Sequence, residues 1–176
     1  SAEGINVGAS FCEGLEKSLR VLTDQSTEAD IQGVKMEHVL SRDRSEKDFF
    51  SGLVNFVSDY SKPEFIPKGT INEPKYLEQI LKLKPDMLVA YGCSLIRSDM
   101  ISEFRGRFLN VHLGLSPYYR GVGTNFWPLV NEEPEYVGAT FMQIDEGIDT
   151  GEVIHQIRAR MFENDDAHDI GNRLIL

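Results

Sequence analysis

The chain has 176 residues, 41% of them hydrophobic and 26% charged, the make-up of a globular domain long enough to bury a sizeable core. Its 18 Lys and Arg against 28 Asp and Glu give a net charge of −10, which repels phosphate backbones and disfavours a nucleic-acid partner. No apolar run approaches the roughly 18–20 residues of a membrane span and no secretory signal pattern opens the chain, so the expectation is no membrane partner and a cytoplasmic location.

In chain order, residues 5–9 read as a weak first strand, and Phe11, Leu15, Leu19 and Leu22 fall at helical spacing. Cys12 and Cys93 lie far apart without CxxC spacing, which suits free, buried thiols in a reducing compartment. Residues 23–30 are polar and read as a loop. Residues 34–40 alternate Val34, Met36, His38 and Leu40 on one face and read as a strand, with His38 a core or rim histidine rather than a ligand. Ser45 then reads as the N-cap of a helix with acids in its first turn and an apolar face of Phe49, Leu53, Phe56, Val57 and Tyr60. Residues 61–71, with two prolines and Gly69, form an irregular connection that has room for a short edge strand.

Asn72 is the expected cap of a helix over 73–84, with Pro74 in its first turn and a stripe of Tyr76, Leu77, Ile80, Leu81 and Leu83. Residues 87–91, MLVAY, make an apolar run of strand length, as expected when helices cover both faces of a parallel sheet; Gly92 ends it. A short helix over 97–105 and a buried strand over 108–113 follow. The alternation of helix and strand predicts an α/β fold: a Rossmann-like, mostly parallel sheet of the doubly wound type with helices on both faces. Ligands in such sheets sit beyond the carboxyl ends of the strands, so residues 92–94, His112 and Gly114 share one rim. No GxGxxG follows the first strand, Gly121-Val122-Gly123 fails in spacing and context, and GxxxxGK[ST] is absent, so neither a dinucleotide site nor a P-loop is expected.

Residues 115–135 are rich in proline and aromatics, and Thr124 is positioned to cap a short helix reaching Glu133. Residues 136–144 and 153–161 are strand-like runs, the second alternating from Val153 to Met161, and read as a terminal antiparallel hairpin with a loop over 145–152 long enough to fold over a site. Asn164 reads as the cap of a final helix. With no repeat and no linker, one domain is expected over 1–176. The missing initiator Met and the stop at Leu176 inside a helical pattern add the expectation of truncation at one or both ends.

The chemistry gathers in residues 108–151. Side chains alternate along a strand, so Asn110 and His112 share a face, and a carboxylate from the loop over 145–151 can complete a reaction centre with them. The plainer alternatives are a satisfied structural histidine and ordinary turn chemistry. Beyond this pair, KPDMLVAYG at 84–92, SPYYRG at 116–121, Gly138-Ala139-Thr140 and DEGIDTG at 145–151 occur in one order. Together they make the segment from about 74 to 160 resemble the catalytic domain of the formyltransferases that use 10-formyltetrahydrofolate. That family includes methionyl-tRNA formyltransferase, glycinamide ribonucleotide transformylase and the sugar N-formyltransferases.

The resemblance implies a catalytic triad of Asn110, His112 and Asp149. It implies a folate pocket built from Gly92, Cys93, Ser94 and Ile96 and from the loop Asp145, Glu146, Gly147 and Ile148. Strand-end packing is the alternative for the first group, and a solvated turn carboxylate for Asp145. The implied activity is formyl transfer from 10-formyltetrahydrofolate, as co-substrate, to a primary amine in one-carbon metabolism. The negative charge that grows on the formyl oxygen needs preorganised donors, which an Asn amide and a protonated imidazole supply. Imidazole titrates near neutrality, which suits it to move the amine's proton, and an aspartate can orient it. No metal is required, and histidines 38, 112, 155 and 168 lack ligand spacing. Two departures matter. GLSP at 114–117 replaces the family's SLLP, and Met142 stands where glycinamide ribonucleotide transformylases carry histidine. Met142 and the YRG at 119–121 direct the expectation to the sugar and tRNA branches, and the net charge of −10 then favours an amino-sugar nucleotide over tRNA as partner. Arg120 can meet an acidic group on that acceptor or be a plain surface residue. Methionyl-tRNA formyltransferase, a formyltetrahydrofolate hydrolase and a non-catalytic folate- or nucleotide-binding module are the competing readings, and a homodimer stays open.

Overall fold

The computed structural model describes residues 9–13, 29–57 and 63–176. Its residues fall into two compact units, one of Ser1–Gly14 with Asp59–Ile157, the other of Leu15–Ser58 with Arg158–Leu176.

In the first unit, strand β1 (Phe11–Glu13) pairs in parallel with the edge strand β2 (Glu64–Ile66). Helix α2 (Pro74–Leu83) leads to β3 (Leu88–Tyr91), and the short α3 (Ser98–Glu103) leads to β4 (Phe108–His112), which lies parallel to β3. After the one-turn α4 (Trp127–Val130) and a 3₁₀ turn at Pro134–Tyr136, β5 (Gly138–Gln143) returns antiparallel to β4, and β6 (Val153–Arg158) bonds to β5. The four-stranded sheet β3-β4-β5-β6, separate from the two-stranded β1-β2 sheet, opens on the parallel pair β3-β4 and turns antiparallel at β5, and with the helices between its strands gives the α/β class expected.

The core explains why these segments fold as they do. Tyr76 and Ile80 from α2, Met100, Ile101 and Phe104 from and just after α3, and Ala90 and Phe108 from the sheet form one buried cluster with Ile66, Ile71 and Ile96. The α2 residues recur at a spacing of four, and the strand residues fall on one face, so a single apolar layer is removed from water. The opposite face of β3 carries Val89 and Tyr91, which are exposed among the described residues.

In the second unit, α1 runs from Ala29 to Phe56 and α5 from Ala167 to Ile175. The seam between them is mostly polar. Ser41 Oγ donates to Asp166 Oδ2 at 2.6 Å and Ser45 Oγ to Asp169 Oδ1 at 2.6 Å, while Asn172 Nδ2 donates to Ser45 Oγ at 3.0 Å. His38 stacks obliquely on His168, ring centroids 4.6 Å apart, and the Arg173 guanidinium lies 5.7 Å from the Phe49 ring.

Several local expectations are corrected. Residues 34–40 are helix, not strand, and Ser45 sits in mid-helix, 2% exposed, rather than at a cap. The helix read from Phe11 begins as strand β1; its later part, the strand at 5–8 and Tyr60 lie outside the described residues. Leu53, Phe56 and Val57, read as a buried face, are exposed. The residue before α2 is Glu73, without a side-chain cap bond, and the Asn72 side chain bonds Leu95 O and Arg97 N instead. Thr124 donates to Leu113 O rather than capping α4, and Asp166, not Asn164, caps α5 through a reciprocal capping box with Asp169.

Candidate active site

Asn110 and His112 stand two residues apart at the carboxyl end of β4, with Met142 and Thr140 opposite them on β5. Their common face receives Asp149 from the loop between β5 and β6. The Asn110 Nδ2 donates to Asp149 Oδ1 at 2.9 Å, and His112 Nδ1 lies 3.2 Å from Asp149 Oδ2. The same Oδ2 accepts from Gly121 N at 2.9 Å, and Ser116 Oγ donates to the Asp149 carbonyl at 3.3 Å. The aspartate side chain is 12% exposed and the histidine 7%, so the pair is largely shielded from solvent. Asp149 adopts a left-handed backbone, φ 52°, which Asp tolerates better than most residues.

The other ring nitrogen, His112 Nε2, sits 2.9 Å from the Tyr119 carbonyl. Both partners of the ring are acceptors, so a doubly protonated imidazole satisfies both and a neutral one leaves one contact without a proton. Tyr119 is itself tied down: its hydroxyl bonds Glu133 and receives Asn131 Nδ2 at 2.9 Å. Gly114 faces the ring from below. A Cβ there would lie 2.4 Å from His112 Nε2 and 2.7 Å from Thr124 Cβ, so the glycine of GLSP is what leaves room for this imidazole. Thr140, fully buried, knits the floor: its hydroxyl donates to Gly114 O at 2.6 Å and accepts from Ser116 N at 3.1 Å and Gln156 Nε2 at 3.0 Å.

These residues open into a cleft of about 510 Å³. One wall is the loop 91–96, the floor is 110–113 with 142–144, and the remaining sides are 121–124 and 145–151 without Glu146. Of the residues expected in a folate pocket, Gly92, Cys93, Ser94, Ile96, Asp145, Gly147 and Ile148 therefore line the cleft with the triad, and Glu146 does not. Asp145 directs its carboxylate into its own loop, accepting from Gly147 N at 3.0 Å and Thr150 Oγ1 at 2.8 Å. Cys93 is exposed, not buried as expected. Desolvation around its sulfur, and then the charge of Glu13, push its thiol up from the ordinary value. Sequence reasoning passed over the Tyr119 carbonyl and the Gly121 amide, because main-chain groups leave no residue-type signal. Among the described residues no group of three His, Cys, Asp or Glu is gathered in a way that can hold a metal ion, and no helix is long and apolar enough to cross a membrane.

The family model described as formyl transferase matches residues 8–175. The chain belongs to the formyl transferase family. The methionyl-tRNA formyltransferase of Caldanaerobacter subterraneus is 29% identical over 147 residues, 82% of this chain and 47% of that protein. The methionyl-tRNA formyltransferase of Francisella tularensis subsp. novicida is 30% identical over 151 residues, 84% of this chain and 48% of that protein. The chain thus spans about half the length of the curated relatives it matches. Among solved structures, the formyltransferase PseJ of Anoxybacillus kamchatkensis, in complex with UDP-4,6-dideoxy-4-formamido-L-AltNAc and tetrahydrofolate, is similar at 25% identity with a TM-score of 0.52, over 73% of this chain and 62% of that one. The phosphoribosylglycinamide formyltransferase of Streptococcus pneumoniae, 18% identical, shares the fold with a TM-score of 0.58 over 95% of this chain and 89% of its own.

Proposed function

We propose that the protein transfers a formyl group from 10-formyltetrahydrofolate to a primary amine, and that residues 1–176 make up its catalytic domain. The observation that carries this reading is the bridge made by one shielded carboxylate, Asp149, between the Asn110 amide and the His112 imidazole at the edge of a cleft. The cleft's volume lies in the range of roughly 300–1,000 Å³ used by small ligands, and its loop walls present peptide groups of the kind a flat pteridine edge pairs with. When bound, the folate supplies the formyl group at the oxidation level of an amide.

The chain's own residues supply the rest. Asn110 uses one N–H on Asp149 and keeps its second for negative charge growing on the formyl oxygen. His112 takes the proton that the attacking amine must lose and returns it to the folate nitrogen that departs, while Asp149 holds the ring in place. For His112 to reach a substrate through Nε2, the Tyr119 carbonyl has to yield that position.

For the acceptor we favour an amino-sugar nucleotide. Met142 and the YRG of 119–121 argue against glycinamide ribonucleotide, and the net charge of −10 and the sugar nucleotide in the PseJ complex support the sugar over tRNA. Exposed Tyr118 and Trp127, beside the cleft-lining 121–124, offer faces on which a base or sugar can stack. Methionyl-tRNA is the second reading, carried by the relatives at 29% and 30% identity. One experiment separates them: 10-formyltetrahydrofolate is supplied with a nucleotide-linked amino sugar, with methionyl-tRNA, or with water alone. Formylated sugar nucleotide is the expected product. Formyl-methionyl-tRNA would transfer the assignment to the second reading, and formate without amine would identify a hydrolase. No consumption of donor by folded protein would leave only a binding module.

A further inference from the structure

The cleft wall at 92–97 has neither helix nor strand backbone, so its peptide groups need partners from elsewhere in the unit. Two side chains supply them. Glu13, the last residue of β1, accepts from Ser94 N at 2.7 Å through Oε2, and from Gly69 N at 2.9 Å and Ile71 N at 3.3 Å through Oε1. Asn72 accepts from Arg97 N at 2.7 Å and donates through Nδ2 to Leu95 O at 2.8 Å. One amide that both donates and accepts along an extended segment does for it what a neighbouring strand would do. Neither Glu13 nor Asn72 lines the cleft; each acts through the loop that does. Burial works against the Glu13 carboxylate, but the bonds from Ser94, Ile71 and Gly69 outweigh it and hold the group below the usual carboxylate range. It is therefore a charged acceptor at neutral pH, the stronger kind.

We infer that Glu13 and Asn72 are positioning residues for the formyl donor: they fix the 92–97 backbone in the one arrangement whose peptide groups meet the folate, and so set donor affinity without touching it. The inference rests on the donor reading of the cleft. Both Glu13 oxygens are in use, so Glu13→Gln must turn an NH₂ against either the Ser94 N–H or the Gly69 and Ile71 pair, while Asn72→Ala removes both of its bonds at once.

The test is calorimetric titration of 5-formyltetrahydrofolate, a stable look-alike of the donor, into the wild-type chain and both variants. It is joined to hydrogen exchange at the Ser94 and Arg97 amides and to single-turnover rates at saturating donor. The expected result is binding weakened about tenfold in each folded variant, with the saturated rate within about threefold of wild type. Slow exchange of both amides is expected in the free wild-type protein. Undiminished affinity in folded variants overturns the inference and leaves the donor reading standing. So does fast exchange of both amides in the free wild type, which decides the matter even if the variants do not fold. Absence of binding by folded wild-type protein overturns the donor reading and the inference with it.

Discussion

Asp149 holds two neighbours with one carboxylate, and this makes Asn110 and His112 a unit rather than two independent groups. On the proposed chemistry, Asn110→Ala and His112→Ala each lower kcat by about 10²–10³-fold, with little change in the KM for donor. Because both act at one developing charge and lean on one anchor, the double variant should lose little more than the worse single one; multiplication of the two losses in steady-state assays would show independent roles. Gly114 makes a sharper case. Gly114→Ala brings a methyl to 2.4 Å from His112 Nε2, so kcat falls at least about tenfold while thermal unfolding shows a protein still folded. A Gly114→Ala enzyme of wild-type kcat would mean that the imidazole is free to move and that its position does not matter. The Asn-x-His pair was legible in the sequence because strand alternation fixes which side chains share a face. The Tyr119 carbonyl and Gly121 amide, which complete the coordination of His112 and Asp149, were not, since any residue type provides them.

At the scale of elements, α1 and α5 show why part of the fold escaped a hydrophobic reading. The α1 face turned to α5 is His38, Ser41, Ser45 and Phe49, at helical spacing but mostly polar. Residues 34–40 also alternate in hydrophobicity, so the apolar signal pointed to a strand while the packing signal was carried by serines. Strands β3 and β4 and helix α2 were readable because their buried residues are apolar and periodic. The polar seam predicts a pH dependence. Burial, then the charges of His38 and Arg42, lower the His168 pKa against the opposing pull of Asp166 and Glu46. The unfolded chain therefore takes up this proton first as pH falls, and stability should decline from about pH 6.5 downward. Asp166 is a second such group. Burial raises its pKa, but the Ser41 hydroxyl and the amides of residues 169 and 168 outweigh this and leave it lowered, so a further loss follows below about pH 4. Urea midpoints followed across pH should show both steps, with His168→Gln losing only the first. A flat profile between pH 7 and 5 in the wild type would contradict the assignment.

For the molecule as a whole, the net charge of −10 and the acceptor question belong together. A net negative charge works against long-range attraction of a polyanion such as RNA, whereas the curated relatives are methionyl-tRNA formyltransferases about twice this chain's length. If tRNA were the acceptor, formylation should fall steeply with added salt as phosphate contacts are screened; transfer to a nucleotide-linked amino sugar should change by no more than a few-fold between about 50 and 200 mM salt. On the proposed chemistry both acceptors require the same first event at Asp149, and the most direct test is made there. Consumption of 10-formyltetrahydrofolate is followed with the nucleotide-linked amino sugar present, for the wild-type chain and for Asp149→Asn, which keeps the shape and removes the charge. The account predicts amine-dependent turnover by the wild type and a loss of about 10²-fold or more in the variant. Equal turnover by the two proteins would contradict it and remove Asp149 from the chemistry.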